Sequence, residues 1–194
     1  KEMPREMTQE DIRTVIQREV EAALRARDAG FDLVEVLGSA GYLISQFLSP
    51  IKNLRTDEYG GSWEKRLRFP RELVTALREA LGPDFTLCMR IAGNDFVPDS
   101  NDNDVAVEFC KEMEKCGIDL FNVTGGWHET RVPQLPGELP RGGFYYLAAA
   151  IKDAVTVPVA ASNRINDPAV AEKFLALDIS DLVCVGRGML ADPD

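Results

Sequence analysis

Five short apolar, β-rich runs alternate with helix-period segments along the whole chain, and this alternation constrains the fold more than any other feature. The runs are FDLVEVL (31–37), FTLCMRI (85–91), IDLFNV (118–123), VPVAA (157–161) and DLVCV (181–185). Nearly continuous apolar runs of this kind suit strands covered on both faces, as in parallel sheets. Between them, apolar residues recur at helical spacing. Ile12, Val15, Ile16, Val20, Ala23 and Leu24 share one stripe of segment 9–29, which Gly30 closes. Leu73, Leu77 and Leu81 mark a helix over 70–81, and Ala106, Phe109, Cys110 and Met113 another over 103–116. Leu147, Ala150, Ile151 and Ala154 do the same in 143–154, and Asp167-Pro168 reads as the cap and first residue of a helix over 168–177. An order of α-β repeated five times, closed here by the last pair, implies a parallel α/β architecture.

The joints between these elements are lopsided. Helix-to-strand joints are short, at Gly30, Gly82-Pro83 and Gly117, whereas the strand-to-helix joints 38–62 and 124–142 are long and polar. In a barrel of βα units the long loops gather at the carboxyl ends of the strands, where such enzymes build their sites. An open doubly wound sheet uses the same end. The asymmetry therefore locates a site without choosing between the two.

What stands at those ends is chemically pointed. Arg90 lies near the end of the second run, Trp127 and His128 follow the third, Asn163 and Arg164 the fourth, Gly186 and Arg187 the fifth. Three arginines converging on one face of a chain with net charge −10 suggest a bound anion, most simply a phosphate. Gly186 would let the backbone approach it, and the joint 162–167 leads to a helix N-terminus whose amides favour anions. The alternative is that each arginine only pairs with a loop carboxylate; as a set they favour a ligand. His128 is the one histidine of the chain and sits in TGGWHETR (124–131), a Gly-flanked loop.

Composition excludes other classes. At 194 residues the chain suits one domain, and 32 acidic against 22 basic residues argue against nucleic acid or an anionic membrane as partner. No apolar run is long enough to cross a bilayer. The four cysteines form no CxxC pair and read as free thiols in a reducing compartment, hence a cytoplasmic location. NDFVPDSNDNDV (94–105) has the composition of a calcium loop but lacks the spaced Gly and terminal Glu, so it reads as a solvated loop with a helix cap and no metal is expected.

GFDLVEVLGSAGYLISQFLSPIKNLRTDEYGGSWEKRLRF (30–69) resembles the central stretch of the old yellow enzyme family of FMN-dependent oxidoreductases, with GYL, QFLSP, N-x-RTDEYGGS and R-x-RF in order. DLVCVGRGMLADPD at 181–194 resembles that family's last barrel strand and phosphate loop. GGWHETRVPQLPGELPRGGF and SNRINDP resemble a narrower branch, that of bacterial 2,4-dienoyl-CoA reductase and related flavoenzymes. The resemblance implies a partial TIM (β/α)8 barrel, with five parallel strands corresponding to strands four to eight. Residues 1–194 would then be the C-terminal part of an FMN-binding barrel, a fragment without the first three strands or the downstream Fe-S and FAD domains.

By the same likeness Tyr42 donates a proton to the substrate carbon, and His128 assists at the substrate carbonyl or in the proton network. Arg90 would face the electron-rich edge of the flavin, and Asn163, Arg164, Gly186 and Arg187 would hold the FMN phosphate. The longer parent would add 4Fe-4S, FAD and NAD(P)H. The implied reaction is reduction or formation of an activated C=C bond in an unsaturated acyl-CoA or enone. This chain departs from the simple family members, which carry a His and a second His or Asn where it has Leu37 and Ala40. Two other readings stand beside this one. The chain alone could be a non-catalytic partial barrel prone to self-association through its open edges, or a barrel for a phosphorylated ligand without flavin.

Overall fold

The computed structural model describes residues 5–128, 130 and 139–192. The segments 129 and 131–138, part of the stretch between Trp127 and Phe144 that carries the branch resemblance, lie outside the described residues.

The chain opens with α1 (Gln9–Asp28), started by a reciprocal cap: the Asp11 amide donates to Thr8 Oγ1 at 3.1 Å and the Thr8 amide to Asp11 Oδ2 at 2.8 Å. It continues through β1 (Leu33–Gly38), α2 (Leu43–Leu48), α3 (Trp63–Arg66), α4 (Arg68–Leu81) and β2 (Thr86–Ala92). Then follow α5 (Asn103–Lys115), β3 (Leu120–Thr124), α6 (Tyr145–Lys152), β4 (Val159–Ala161), α7 (Pro168–Ala176), β5 (Leu182–Val183) and α8 (Arg187–Ala191). All five strands are parallel and join in chain order, β1-β2-β3-β4-β5.

Helix caps explain where the strands begin. At the end of α1 the Gly30 amide donates to Arg27 O at 2.9 Å and the Phe31 amide to Ala26 O at 3.2 Å, a Schellman closure with Gly30 at φ +89°. The same pair of bonds ends α5, from Gly117 to Glu114 O and from Ile118 to Met113 O. Phe31 and Ile118, expected in strands, therefore spend their amides on the preceding helix. A third closure ends α7, where Asp178 takes the left-handed position at φ +57°.

Strand alternation sorts the side chains onto two faces. Leu87, Met89, Ile91, Phe121, Val123 and Val159 point outward into the core under the helices, all at most 2% exposed. The same core takes Leu73, Val74 and Leu77 of α4, and Phe109 and Met113 of α5. The inner face carries Leu33, Glu35, Leu37, Cys88, Arg90, Asn122 and Leu182. Here Leu33, Leu37 and Leu182 are 41%, 43% and 48% exposed. No described element covers this face, and β1 and β5 each pair on one side only. A parallel sheet in chain order, with helices packed on one face only, is the arrangement of part of a (β/α)8 barrel.

The long joint 38–62 is more ordered than its polar composition suggests. It contains α2, whose Ile44, Phe47 and Leu48 are buried, with Phe47 stacked on Phe69 of α4 at 4.4 Å. The motif block that follows works as a clasp. Asn53 Nδ2 donates to Phe47 O and Tyr59 O, both at 2.7 Å. Arg55 pairs with Asp57, donates to Met7 O at 2.6 Å and lies over the Phe47 and Tyr59 rings. Arg66 donates to Leu48 O at 2.8 Å and Gly61 O at 2.6 Å. A Cβ on Gly60 would run into the Arg55 carbonyl.

Candidate functional site

Two clusters form at the carboxyl ends of the strands. The first joins the loops after β1 and β3. Ala40 bridges Trp127 as an isolated parallel pair, and His128 Nδ1 stands 2.6 Å from Ala40 O. A carbonyl only accepts, so Nδ1 carries the hydrogen. The neutral ring then offers an acceptor at Nε2, and can donate there only as the imidazolium. Tyr42 caps α2 with extended backbone, and its ring meets His128 edge to face at 5.2 Å while staying 48% exposed. Gly41, at φ +82°, lies under the Trp127 ring, which a Cβ there would touch at 3.5 Å. The residues expected as proton donor and assistant are 86 positions apart in the chain, 128 minus 42, and the fold brings them into contact.

The second cluster is a cavity of about 600 Å3 lined by Arg90, Asn163, Arg164, Gly186, Arg187 and the backbone between them. It gathers all five residues expected to bind the cofactor, Arg90 at the ring and the other four at the phosphate. Arg90 and Arg187 have no carboxylate partner among the described residues, unlike Arg141, which pairs with Asp167. A Cβ on Gly186 would meet nothing, so its backbone is open to the cavity. Asn163 and Arg164 both take left-handed backbone, at φ +73° and +59°. Their side chains also hold protein: Asn163 Nδ2 donates to Thr124 Oγ1 at 2.7 Å, and Arg164 Nη2 to Leu139 O at 3.0 Å. The N-terminus of α7 is less free than the sequence implies. Asp167 accepts from the Ala169 amide at 2.9 Å, and Pro168 has no amide hydrogen to offer.

Below this rim the inner face is polar. Glu35 accepts from Asn122 Nδ2 at 2.8 Å and from Cys88 Sγ at 3.4 Å. Burial, with Glu35 beside it, pushes the Cys88 thiol well up, so it is a packed neutral thiol and no nucleophile.

The roles of three residues escaped the sequence reading. Thr124 buttresses Asn163, Ala40 supplies the carbonyl that orients His128, and Asp95 is 3% exposed although it lies in the stretch expected to be a solvated loop. The cap in that stretch is as expected, Asp102 accepting from the Val105 amide at 3.0 Å. Burial raises the Asp95 carboxyl above its ordinary range, against hydrogen bonds from Ser100 and Asn101 and the influence of Trp127. Nothing in sequence periodicity distinguishes it from its solvated neighbours.

Known proteins frame this geometry. The family model described as NADH:flavin oxidoreductase / NADH oxidase matches residues 1–194. A metal reductase of Desulforamulus reducens is 51% identical over 193 residues, covering 100% of this chain and 29% of that protein. An NADH oxidase of Thermoanaerobacter brockii is 41% identical over 192 residues, covering 98% of this chain and 30% of its own length. Among solved structures, a 2-naphthoyl-CoA reductase in complex with 2-naphthoyl-CoA superposes with a TM-score of 0.93 at 38% identity, over 97% of this chain and 29% of that one. The chain thus spans less than a third of the length of these three relatives.

Proposed function

The chain belongs to the NADH:flavin oxidoreductase / NADH oxidase family, and from that premise we propose that it is the C-terminal part of an FMN barrel that reduces an activated C=C bond. The residues fit the cofactor. Two arginines without carboxylate partners among the described residues and an open glycine backbone line one cavity of about 600 Å3, within the range of small-molecule sites. Arg187, Gly186, Arg164 and Asn163 would hold the phosphate, and Arg90 would set a fixed positive charge at the ring. When bound, FMN supplies a hydride at N5.

The observation that carries the reading is the Tyr42–His128 contact at the same end of the sheet as that cavity. Reduction of C=C adds a hydride to one carbon and a proton to the other, and Tyr42 Oη–H is the proton source. His128, its Nδ1–H held by Ala40 O, presents Nε2 to pass a proton onward. This suits relay better than a static grip on a carbonyl, which the neutral ring cannot provide from Nε2. The bound thioester of the 2-naphthoyl-CoA reductase structure supports an unsaturated acyl-CoA as substrate class, with a 2,4-dienoyl-CoA or a cyclic enone as members to test. In the longer protein we place NAD(P)H as electron donor, through 4Fe-4S and FAD.

Tyr42→Phe tests the assignment in the flavin-loaded enzyme by stopped flow. Flavin reduction by NAD(P)H keeps its rate, while reoxidation by an unsaturated acyl-CoA slows about 100-fold or more. Reoxidation at the unaltered rate removes Tyr42 from the mechanism.

A second reading has its own observation: the exposed Leu33, Leu37 and Leu182 on an inner face between two half-paired edge strands. On this reading the isolated chain is non-catalytic and associates with itself. Light scattering that finds a monodisperse monomer with a cooperative melt would contradict it.

A further inference from the structure

Asp95 is a buried carboxylate that the chemistry above does not use. It is 3% exposed and has no basic partner among the described residues. It accepts from Ser100 Oγ at 2.7 Å and from the Asn101 amide at 3.2 Å. A buried, unpaired carboxylate costs stability, and an amide of the same shape would fit the same hole more cheaply. Something other than stability accounts for an acid here.

Its surroundings indicate what. The segment around it is laced to the loop that carries His128 at three points. The Gly93 amide donates to Thr124 O at 2.7 Å, the Gly126 amide to Asn94 O at 2.7 Å, and Thr130 Oγ1 to Phe96 O at 2.8 Å. Asp95 sits at the centre of this lacing. Opposite is Trp127, 4% exposed, whose indole Nε1–H finds no hydrogen-bond partner among the described residues. That N–H nonetheless favours the charged form of Asp95, which sets the indole near the carboxylate. Trp127 is bonded covalently to His128 and bridges Ala40, whose carbonyl orients the imidazole.

We propose that Asp95 is a positioning residue, whose carboxylate draws the Trp127 indole down and so sets where His128 stands beside Tyr42. This rests on the catalytic reading of His128 given above. A carboxylate suits the task because an ionised acceptor attracts a nearby N–H far more strongly than a neutral one.

The test uses the flavin-loaded enzyme carrying 5-fluorotryptophan, with the Trp127 fluorine resonance assigned by its loss in Trp127→Phe. Asp95→Asn, which keeps the shape and an acceptor for Ser100, should shift that resonance. It should also slow reoxidation by an unsaturated acyl-CoA about 10- to 100-fold, with flavin reduction by NADH unchanged. In a His128→Ala background Asp95→Asn should cost nothing further, because it acts through His128. An unmoved resonance, equal losses in both half-reactions, or additive losses with His128→Ala would each overturn the proposal. A silent His128→Ala is a different result: it sinks the catalytic reading, and the fluorine shift alone then decides whether Asp95 orients the loop.

Discussion

Asn53→Ala separates scaffold from site in the motif that most specifically marks this chain. Asn53 is 8% exposed, and its amide group makes three bonds to backbone. Nδ2 donates to Phe47 O and Tyr59 O at 2.7 Å each, and Oδ1 accepts from the Arg55 amide at 3.2 Å. Each such bond contributes about 1 kcal/mol net, and truncation also strands two buried carbonyls. Allowing for partial relaxation, the loss is about 3 kcal/mol, or about 6–12 °C in Tm for a domain of this size. Thermal unfolding followed by far-UV circular dichroism measures it. Asn53→Asp sharpens the test, since it keeps the volume but turns the donor into an acceptor facing two carbonyl oxygens. It should destabilise at least as much as alanine. A shift of less than about 1 °C in either variant, or an aspartate that melts near the wild type, would refute the clasp.

Arg78→Met should destabilise by about 3 kcal/mol in a denaturant melt, because Arg78 serves the carbonyls of Gly82, Phe85 and Gly117 besides pairing with Asp119. Asp95 gives a pH signature: its carboxyl is raised in the fold, so the native state holds that proton more tightly than the unfolded chain. The stability it contributes is full below the ordinary value of 3.8 and is lost as pH rises through the raised one. Melts from pH 3 upward should therefore show wild type losing ground against Asp95→Asn, and parallel curves would contradict the assignment. Arg187→Ala should weaken FMN binding about tenfold, read by fluorescence titration, and flatten its salt dependence; an unchanged dissociation constant would remove Arg187 from the phosphate site.

The fold was legible because it rests on pattern. Helical stripes such as Leu73, Leu77 and Leu81 and continuous runs such as FTLCMRI each have one arrangement that buries them, and the sheet takes it. Strand edges were less legible, since Phe31 and Ile118 look like strand residues but spend their amides closing helices. β4 and β5 are shorter than their apolar runs because pairing, and not composition, defines a strand: β4 aligns with β3 only over Val159–Ala161, and β5 with β4 only at Leu182 and Val183. α2 was missed because six residues inside a polar joint are too few for a period to show.

The site divides along the same line. Arg90, Arg187 and His128 were singled out as candidates by type and by their place at strand ends, and Tyr42 by the family resemblance. The groups around these candidates are main-chain atoms or ordinary side chains whose placement exists only in three dimensions: the Ala40 carbonyl beside His128, the Thr124 hydroxyl beside Asn163, and the buried Asp95. The most recognisable motif, N-x-RTDEYGGS, touches neither cluster. It clamps α2 between Met7 and α4 and thereby fixes the backbone from which Tyr42 projects. A motif can thus mark a family without entering the proposed site, because Tyr42, the proposed proton donor at the cap of a six-residue helix, is only as well placed as the clasp that holds that helix down.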